Sequence, residues 1–403
     1  MKPPRLLPGE APKPESGKPH VLLLATFATK EEELRYFEER LEFHNVTWSA
    51  FDISLITEGA VLSGADKLEA MDRAAETAIE GLTRALQEPA HAVVGLGGGT
   101  GGEIILRAMR ALPITFPKLL VTTLPFDPRV AIADNSIVLV PTLMDMCGLN
   151  ATLREVLENA AAMTAGLCAT RRKAAACVAK PSVGVTALGA TEGAVSPLVS
   201  EIRRHGHEAT VFHANGYGGA AFARFAGRGA FHTIVDLTPH ELTRIMVNGA
   251  HVDMPTRFKA GPDIPRVTLP GGLNFVGLGQ MSMMPQHYLK RPHYEHSGLF
   301  THAKLTHGEM YEVATALAKA LNAFGSEQTL IVPMGGFSHH DRPGGAIEDP
   351  ELRETFLNAV KTRIASHVRL KVMPHHIFDP EVTQAIKSAL PMTFANEKEA
   401  AHG

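Results

Sequence analysis

Glycines near the first quarter of the chain have the types and spacing of a phosphate-binding loop. The stretch GLGGGTGG, residues 95–102, follows an apolar run and precedes a helical pattern. Backbone N–H groups and the positive end of a helix dipole stabilise an anion at such a junction. The spacing contains the weak pattern GxGxxG, and no GKS or GKT follows, which excludes a P-loop. The alternative is a tight turn without a ligand.

Polar side chains follow the neighbouring apolar runs, at positions where ligands bind in open parallel sheets. The Thr29 hydroxyl could bind a phosphate, but Thr29 and Glu32 also fit a helix-capping box. Asp52 ends the second run, either as a ribose-binding carboxylate or as an ordinary strand terminus. The candidate cofactor-binding residues are Thr26, Thr29, Lys30, Asp52, Gly97, Gly98, Gly99, Thr100, Gly101, Thr122, Thr123 and Asp145.

The second half contains VFHANGYGGAAF, residues 211–222, which predicts another anion-binding loop. We assign His213 and Asn215 as candidate catalytic residues, because an imidazole can transfer a proton near neutral pH. A buried, hydrogen-bonded His213 without catalytic function is the alternative. Thr238 and Glu241 have the spacing of a capping pair and are interpreted as structural. The candidate ligand loop of this half contains Gly216, Gly218, Gly219, Asp236, Gly271, Asn274, His293 and His296.

Five of the 20 histidines fall within residues 287–307. They raise the possibility of a metal-assisted hydrolase, with exposed loop histidines as the alternative. HExxH is absent and Glu295 is the one carboxylate close by, so we expect no metal. The stretch MGGFSHHDRPGG, residues 334–345, is predicted either to close over a ligand or to turn.

Apolar runs alternate with helical patterns over residues 20–169, and the alternation restarts at Ser182. This order predicts two doubly wound α/β domains. We expect residues 280–310 to be irregular. The predicted divisions are a flexible arm (1–19), an N-terminal Rossmann-like nucleotide- or phosphate-binding domain (20–175), a C-terminal Rossmann-like domain (176–393) and a tail (394–403).

The composition narrows the function classes. A net charge of -3 over 403 residues gives no basic field for nucleic acid or an anionic membrane. The apolar runs are too short for a membrane-spanning helix. The proline-rich start lacks the apolar region of a signal peptide. Three cysteines without metal-binding spacing favour a cytoplasmic location.

Several stretches, in this order, resemble a known family over nearly the whole chain: GLGGGTGG, ALPITFPKLLVTT, DMCGLN, LENAAAMTAG, VFHANGYGG, IVDLT with HEL, and RPHYEH. The family is that of uncharacterised bacterial and fungal proteins related to the N-terminal ATP-binding region of the tomato mosaic virus resistance protein. The resemblance implies two Rossmann-like domains facing an interdomain cleft, ATP or a related nucleotide in the first domain, and a homodimer.

The chain departs from the family pattern at several polar positions. The departures are Ile53 and Ser54 after Asp52, Leu124 to Phe126 in place of A-S-G, Asn215 in place of Thr, Ala220 and Lys304 in place of Arg, Pro239 and His240 within the T-T-T-E motif, Ser297 and Gly298 after His296, and Asn274 in place of Asp. A retained scaffold with altered polar groups predicts a small-molecule ligand of its own.

Three functions follow as hypotheses. The first is a nucleotide- or phosphate-binding enzyme of unknown reaction, with its site in the interdomain cleft and His213 as acid/base. The second is a non-catalytic, nucleotide-bound module that binds a protein partner. The third is the metal-assisted hydrolase that would use the histidines of residues 287–307.

Overall fold

The computed structural model describes residues 5–6, 17–55, 62, 64–87, 89–125, 127–128, 132–171, 182–249 and 254–391. By internal contacts the chain divides into two compact units, unit 1 (residues 1–177) and unit 2 (residues 178–403). The predicted boundary near residue 175, the predicted tail and most of the predicted arm lie outside the described residues.

Unit 1 is built around one parallel six-stranded sheet. Its strands are β1 (Arg5–Leu6), β2 (His20–Ala25), β3 (Thr47–Asp52), β4 (Ala92–Gly97), β5 (Lys118–Thr122) and β6 (Val138–Pro141), in the spatial order β1-β3-β2-β4-β5-β6. Its helices are α1 (Phe27–Phe43), α2 (Gly64–Ala85), α3 (Gly99–Ala111) and α4 (Ala151–Arg171). The strand β1 lies within the predicted arm and pairs with β3 at the sheet edge.

The apolar strands of unit 1 are buried on both faces because helices cover both sides of the sheet. Val21 and Leu23 of β2 pack into the cluster that contains α1 and α4. Leu22 and Leu24 point to the opposite face and pack against α2 and α3. Every residue of β2 and β4 is therefore buried, as their uninterrupted apolar sequences predict.

Unit 2 contains a second parallel six-stranded sheet and a smaller antiparallel one. The strands are β7 (Ser182–Ala187), β8 (Glu208–His213), β9 (Thr233–Asp236), β10 (Arg266–Thr268), β11 (Phe275–Leu278), β12 (His293–Ser297), β13 (Phe300–Lys304), β14 (Gln328–Pro333) and β15 (Val368–Met373). The spatial orders are β15-β14-β10-β9-β7-β8 and β11-β13-β12. The helices are α5 (Glu192–Arg204), α6 (Tyr217–Gly227), α7 (Glu241–Met246), α8 (Gln286–Leu289), α9 (His307–Asn322), α10 (Pro350–Lys361) and α11 (Pro380–Ala389).

The prediction of two doubly wound α/β domains is confirmed, since each unit has its own parallel sheet flanked by helices. In unit 1, β2 lies between β3 and β4, and in unit 2, β7 lies between β8 and β9. The order in which strands are added to the sheet therefore reverses between β2 and β4 in unit 1, and between β7 and β9 in unit 2, although all these strands are parallel. Ligands of such folds bind at the carboxyl ends of the strands beside this reversal.

Two local predictions are wrong. Residues 280–310 are not irregular, because β12 and β13 form a hairpin that pairs with the buried strand β11. The polar, exposed sequence of β12 hides this pairing from an apolar pattern. The helix expected to begin at about Gly102 begins at Gly99, three residues earlier.

No helix in the described part of the chain combines the length and the apolar character needed to cross a bilayer.

Candidate functional site

The glycine-rich stretch of unit 1 lies at the carboxyl ends of β2 and β4. The two strands are direct neighbours, with Leu24 opposite Gly95 and Ala25 opposite Leu96. Thr26 follows β2, and Gly98 is the N-cap of the 13-residue helix α3. The stretch therefore occupies the position at which doubly wound folds bind ligands.

Packing explains four of the six glycines in this stretch, and none of the six has a positive φ. A Cβ added to Gly95 would lie 2.4 Å from the Ile105 side chain, and one added to Gly97 would lie 2.5 Å from the Gly102 nitrogen. At Gly101 and Gly102 it would lie 3.0 Å from a threonine side chain. These glycines let α3 approach the sheet closely, which is a structural role.

Gly98 and Gly99 have no such explanation. An added Cβ would lie 4.0 Å from Thr123 Oγ1 at Gly98 and 3.5 Å from Pro125 Cγ at Gly99, which are ordinary contacts. Glycine here costs conformational entropy, and Gly98 offers no capping side chain. Among the described residues, no acceptor is bonded to the amides of Gly99, Thr100 and Gly101. Close approach of a ligand to these amides would explain both glycines.

Hydroxyl groups surround this loop. The side chains of Thr26 and Thr122 contact the space beside Gly101 and Gly102, and the Thr123 hydroxyl faces Gly98. Thr29 Oγ1 donates to Thr26 Oγ1 over 3.2 Å. The structure thus brings these four threonines to the glycine loop.

The capping box at Thr29 is a wrong prediction. The N-cap of α1 is Thr26, and the backbone of Lys30 is non-helical, so Thr29 lies before a kink rather than at a helix start.

The three charged candidates Lys30, Asp52 and Asp145 make no hydrogen bond to the glycine loop among the described residues. Lys30 Nζ donates to the carbonyl oxygen of Met146. The Asp52 carboxylate accepts bonds from the amides of Phe27 (3.2 Å) and Ser54 (2.8 Å). Asp145 is exposed. The Lys30 ammonium, although a candidate for cofactor binding, is therefore bonded to the protein's own backbone, and the positive potential at the loop comes from the unbonded amides at the start of α3.

A cavity of about 430 Å³ lies between the end of β3 and helix α2. Its apolar wall contains Phe51 and the alanines of α2, and its polar groups include Asp52, Ser54, Arg73 and Thr77. Its volume lies within the range of roughly 300–1,000 Å³ that is typical of ligand pockets.

In unit 2, a buried guanidinium joins two buried carboxylates. Arg257 donates to both Asp236 oxygens, over 2.9 and 2.8 Å, and from Nε to Glu241 over 2.7 Å. All three side chains are at most 3% exposed. Burial alone would raise the pKa of Asp236, but Arg257, with Arg266 and the Thr186 hydroxyl, holds it below its usual value. Asp236, a predicted ligand residue, is thus part of a structural ion network.

The predicted second anion-binding loop is occupied by the protein's own carboxylate. Glu241 Oε1 accepts a bond from the Gly216 amide over 3.0 Å. A Cβ added to Gly219 would lie 2.0 Å from Glu241 Oε1, and one added to Gly218 would lie 2.0 Å from the His213 carbonyl oxygen. Gly216 has a φ of 102°, which glycine adopts readily. Folding therefore explains all three glycines of this loop.

The predicted capping pair of Thr238 and Glu241 is also wrong. Thr238 Oγ1 lies 2.7 Å from Thr191 Oγ1, and Glu241 bonds to Arg257 and Gly216 instead. The spacing of three residues fitted a capping box by coincidence.

The two candidate catalytic residues differ in their surroundings. Asn215 Oδ1 accepts a bond from the Gly218 amide over 3.3 Å and thereby stabilises the start of α6. His213 is exposed, which excludes the buried alternative. Partial desolvation, with the nearby Arg244 charge, lowers the pKa of His213. A neutral, accessible imidazole at a strand end can accept a proton.

Buried aromatic and imidazole rings lie next to each other in unit 2. His240 and His302 pack against Phe275, each with ring centroids 4.5 Å away. Burial lowers the pKa of His302 to about 3. His296 stacks on His302 at 5.1 Å, whereas His293 Nδ1 donates to the carbonyl oxygen of Arg291.

The remaining predicted ligand residues of unit 2 are Gly271 and Asn274. An added Cβ at Gly271 would lie 2.2 Å from the carbonyl oxygen of Leu237, so Gly271 is required for packing. Asn274 is buried. No three His, Cys, Asp or Glu side chains within the described ranges converge in a way that could hold a metal ion.

Arg257 is not among the residues that the sequence predicts for a site. It lies in a loop and belongs to no recognisable motif, and its importance follows from burial and from bonds that only the folded chain provides. Ser338 lies within the stretch of residues 334–345 that is predicted to close over a ligand or to turn, and it is buried.

These features define a protein of two doubly wound α/β units, with a glycine-rich loop at the carboxyl ends of β2 and β4 in unit 1. The chain belongs to the uncharacterised protein family UPF0261, whose N-terminal domain matches residues 56–173 and whose C-terminal domain matches residues 180–393. It is 33% identical over 351 residues to a UPF0261 protein of Rhizobium meliloti, covering 84% of this chain and 87% of that protein.

A second relative is the ToMV resistance protein Tm-1(GCR237) of Solanum lycopersicum. It is 28% identical over 417 residues, which span 92% of this chain and 55% of the tomato protein. A UPF0261 protein of Mesorhizobium japonicum is 32% identical over 304 residues, with 74% of this chain and 76% of that protein covered. The predicted relation to bacterial proteins and the tomato protein is confirmed, and the fungal part of the prediction finds no support among these relatives.

Proposed function

We propose that unit 1 binds the phosphate groups of a nucleotide such as ATP at the N-terminus of α3. The observation that supports this proposal is the pair Gly98 and Gly99, which neither packing nor backbone conformation requires. The amides of the first turn of α3 would donate to the phosphate oxygens. The helix dipole adds roughly 0.3–1 kcal/mol at an exposed site.

The neighbouring groups suit the rest of a nucleotide. Hydroxyls of Thr26, Thr29 and Thr123 would donate to further phosphate oxygens. The cavity beside Asp52 lies at the end of β3, next to β2, and combines an apolar wall with polar groups. It would hold the sugar or the base, with Asp52 as an acceptor for a ribose hydroxyl.

The test is Gly99→Val, with nucleotide binding measured by titration calorimetry. The Cβ of the new side chain meets only ordinary contacts in the protein. The side chain would occupy the space that the proposed phosphate needs. We expect at least a tenfold loss of affinity for ATP. The matched control is Gly308→Val, since Gly308 lies in the first turn of α9 and also has an open Cβ position. Equal ATP affinity of Gly99→Val and the unaltered chain would contradict the proposal.

We further propose that the protein is a cytoplasmic homodimer. The family resemblance supports the dimer, and the exposed Cys147 thiol fits a reducing compartment. Light scattering at micromolar concentration should give twice the 43.3 kDa mass of the chain. A monomeric mass would overturn this proposal.

A further inference from the structure

Three neighbouring loops of unit 2 each carry a buried side chain with at least one polar atom that lacks a hydrogen-bond partner among the described residues. His240 follows β9, Asn274 follows β10, and Ser338 follows β14, and these strands are consecutive in the sheet. The three residues are at most 1% exposed. His240 Nε2, both polar atoms of the Asn274 amide and Ser338 Oγ have no partner among the described residues. Buried polar groups are normally paired, so this convergence calls for an explanation.

Hydrogen bonds hold the three loops together. The Gly271 amide donates to Leu237 O over 3.1 Å, and the Gly272 amide donates to Phe337 O over 3.0 Å. His240 Nδ1 lies 2.7 Å from Gly272 O. Each unpartnered residue is therefore within three positions of a bond that links its loop to the next. The three loops that carry the unpartnered groups are therefore bonded to one another at the same edge of the sheet.

The bond of His240 fixes its tautomer. A carbonyl oxygen only accepts, so Nδ1 carries the proton that it donates to Gly272 O, and Nε2 presents a lone pair. Burial, with the charge of Arg244, holds the pKa of His240 well below its ordinary value, so the ring is neutral. The partner that His240 Nε2 lacks must be a hydrogen-bond donor and not an anion.

Asn274 and Ser338 complete the set of donors and acceptors. The Asn274 amide offers two N–H donors and a carbonyl acceptor, and the Ser338 hydroxyl can do either. A hydroxyl group is a simple, uncharged function that both donates and accepts through one atom. A compound with two or three hydroxyls would satisfy all the unpartnered groups.

Aromatic rings of the β12–β13 hairpin lie beside these loops. His302 stacks on Phe275, which in turn contacts His240. Tyr294 lies 2.6 Å from His302 Nδ1 through its hydroxyl, and its ring centroid is 3.7 Å from that of His340. Apolar ring faces beside polar groups suit the mixed surface of a polyol or sugar.

We propose that the loops after β9, β10 and β14 bind a small, uncharged polyhydroxy compound through His240, Asn274 and Ser338. This site is separate from the phosphate site of unit 1 and takes a different chemical class. Ordered water is the competing occupant, since a buried water makes roughly three hydrogen bonds to such groups.

The experiment uses erythritol, D-ribose and myo-inositol as probes, with binding to the full chain measured by saturation-transfer NMR and calorimetry. We expect at least one probe to bind. Asn274→Leu and Ser338→Ala should each weaken that binding at least tenfold. Both variants should fold, because each removes an unpartnered polar group.

Two further variants serve as controls. Thr315→Val removes another buried hydroxyl without a partner, on α9, and should bind the probe like the unaltered chain. Gly99→Val should also retain the probe, which distinguishes this site from the proposed nucleotide site. Failure of all three probes to bind, or equal binding by Asn274→Leu, would overturn the proposal.

Discussion

Replacing Arg257 with Leu is expected to lower the free energy of unfolding of unit 2 by about 3–5 kcal/mol. The substitution leaves Asp236 and Glu241 buried without their shared cation. Both carboxylates are almost completely shielded from water, so neither can recover its lost hydration. The penalty is therefore that of an uncompensated buried charge, and it includes the loss of the three hydrogen bonds that Arg257 donates.

Urea unfolding followed by far-ultraviolet circular dichroism measures this effect. The single tryptophan, Trp48, lies in β3 of unit 1, so its fluorescence reports the other unit and serves as an internal control. Arg107→Leu removes an exposed arginine paired with Asp72 and should cost about 1 kcal/mol or less. The triple variant Arg257→Leu, Asp236→Asn, Glu241→Gln should recover part of the loss, because neither buried side chain at positions 236 and 241 then carries a charge. A loss below about 1 kcal/mol in the single variant would show that the charges are not buried as described.

The second large effect is the acid sensitivity of unit 1 through His20. His20 is buried, and its ring nitrogens lie 2.8 Å from Thr47 Oγ1 and 3.0 Å from Ser49 Oγ. Burial, with a smaller contribution from His91, lowers the pKa of His20 from 6.5 to about 4. The unfolded chain therefore binds a proton between these two pH values that the folded chain does not.

Because the unfolded chain binds more protons in this range, the free energy of unfolding falls as the pH falls. The stabilisation is fully present above pH 6.5 and is lost as the pH falls through 6.5 towards about 4. A pKa difference of this size corresponds to about 3 kcal/mol. We expect the free energy of unfolding of unit 1, measured by urea unfolding with Trp48 fluorescence, to decrease as the pH is lowered from 7.5 to 4.5. In His20→Gln this decrease should be smaller by most of the roughly 3 kcal/mol, because the titrating imidazole is absent. The same pH dependence in both proteins would disprove the assignment to His20.

The parts of the fold that could be predicted are those with a local physical signature. The strands β2 and β4 are continuous apolar runs because both of their faces are covered, and a run of that kind is visible without the structure. The hairpin β12–β13 was missed because β12 is polar and exposed. Its position depends on pairing with β13 rather than on its own composition.

The side-chain partners were harder to predict than the elements. Glu241 has the spacing of a capping residue relative to Thr238, and nothing local shows that its cation lies at Arg257, 16 positions further on. Lys30 follows the first strand as expected, but its long side chain reaches the carbonyl of Met146, 116 positions away. Such choices depend on which groups meet after folding.

The bond between Glu241 and the Gly216 amide has a consequence for stoichiometry. Glu241 acts as a tethered anion, held at an effective concentration that free phosphate in a cell cannot match. Asn215 engages the Gly218 amide in the same loop. The two units have the same architecture but differ in how they could bind dissolved anions. In unit 2, the Glu241 carboxylate already accepts a bond from the amide at the N-terminus of α6. In unit 1, the amides at the N-terminus of α3 have no acceptor among the described residues. A titration with a phosphate ligand should therefore saturate at one equivalent per chain, although each unit has a glycine-rich loop before a helix.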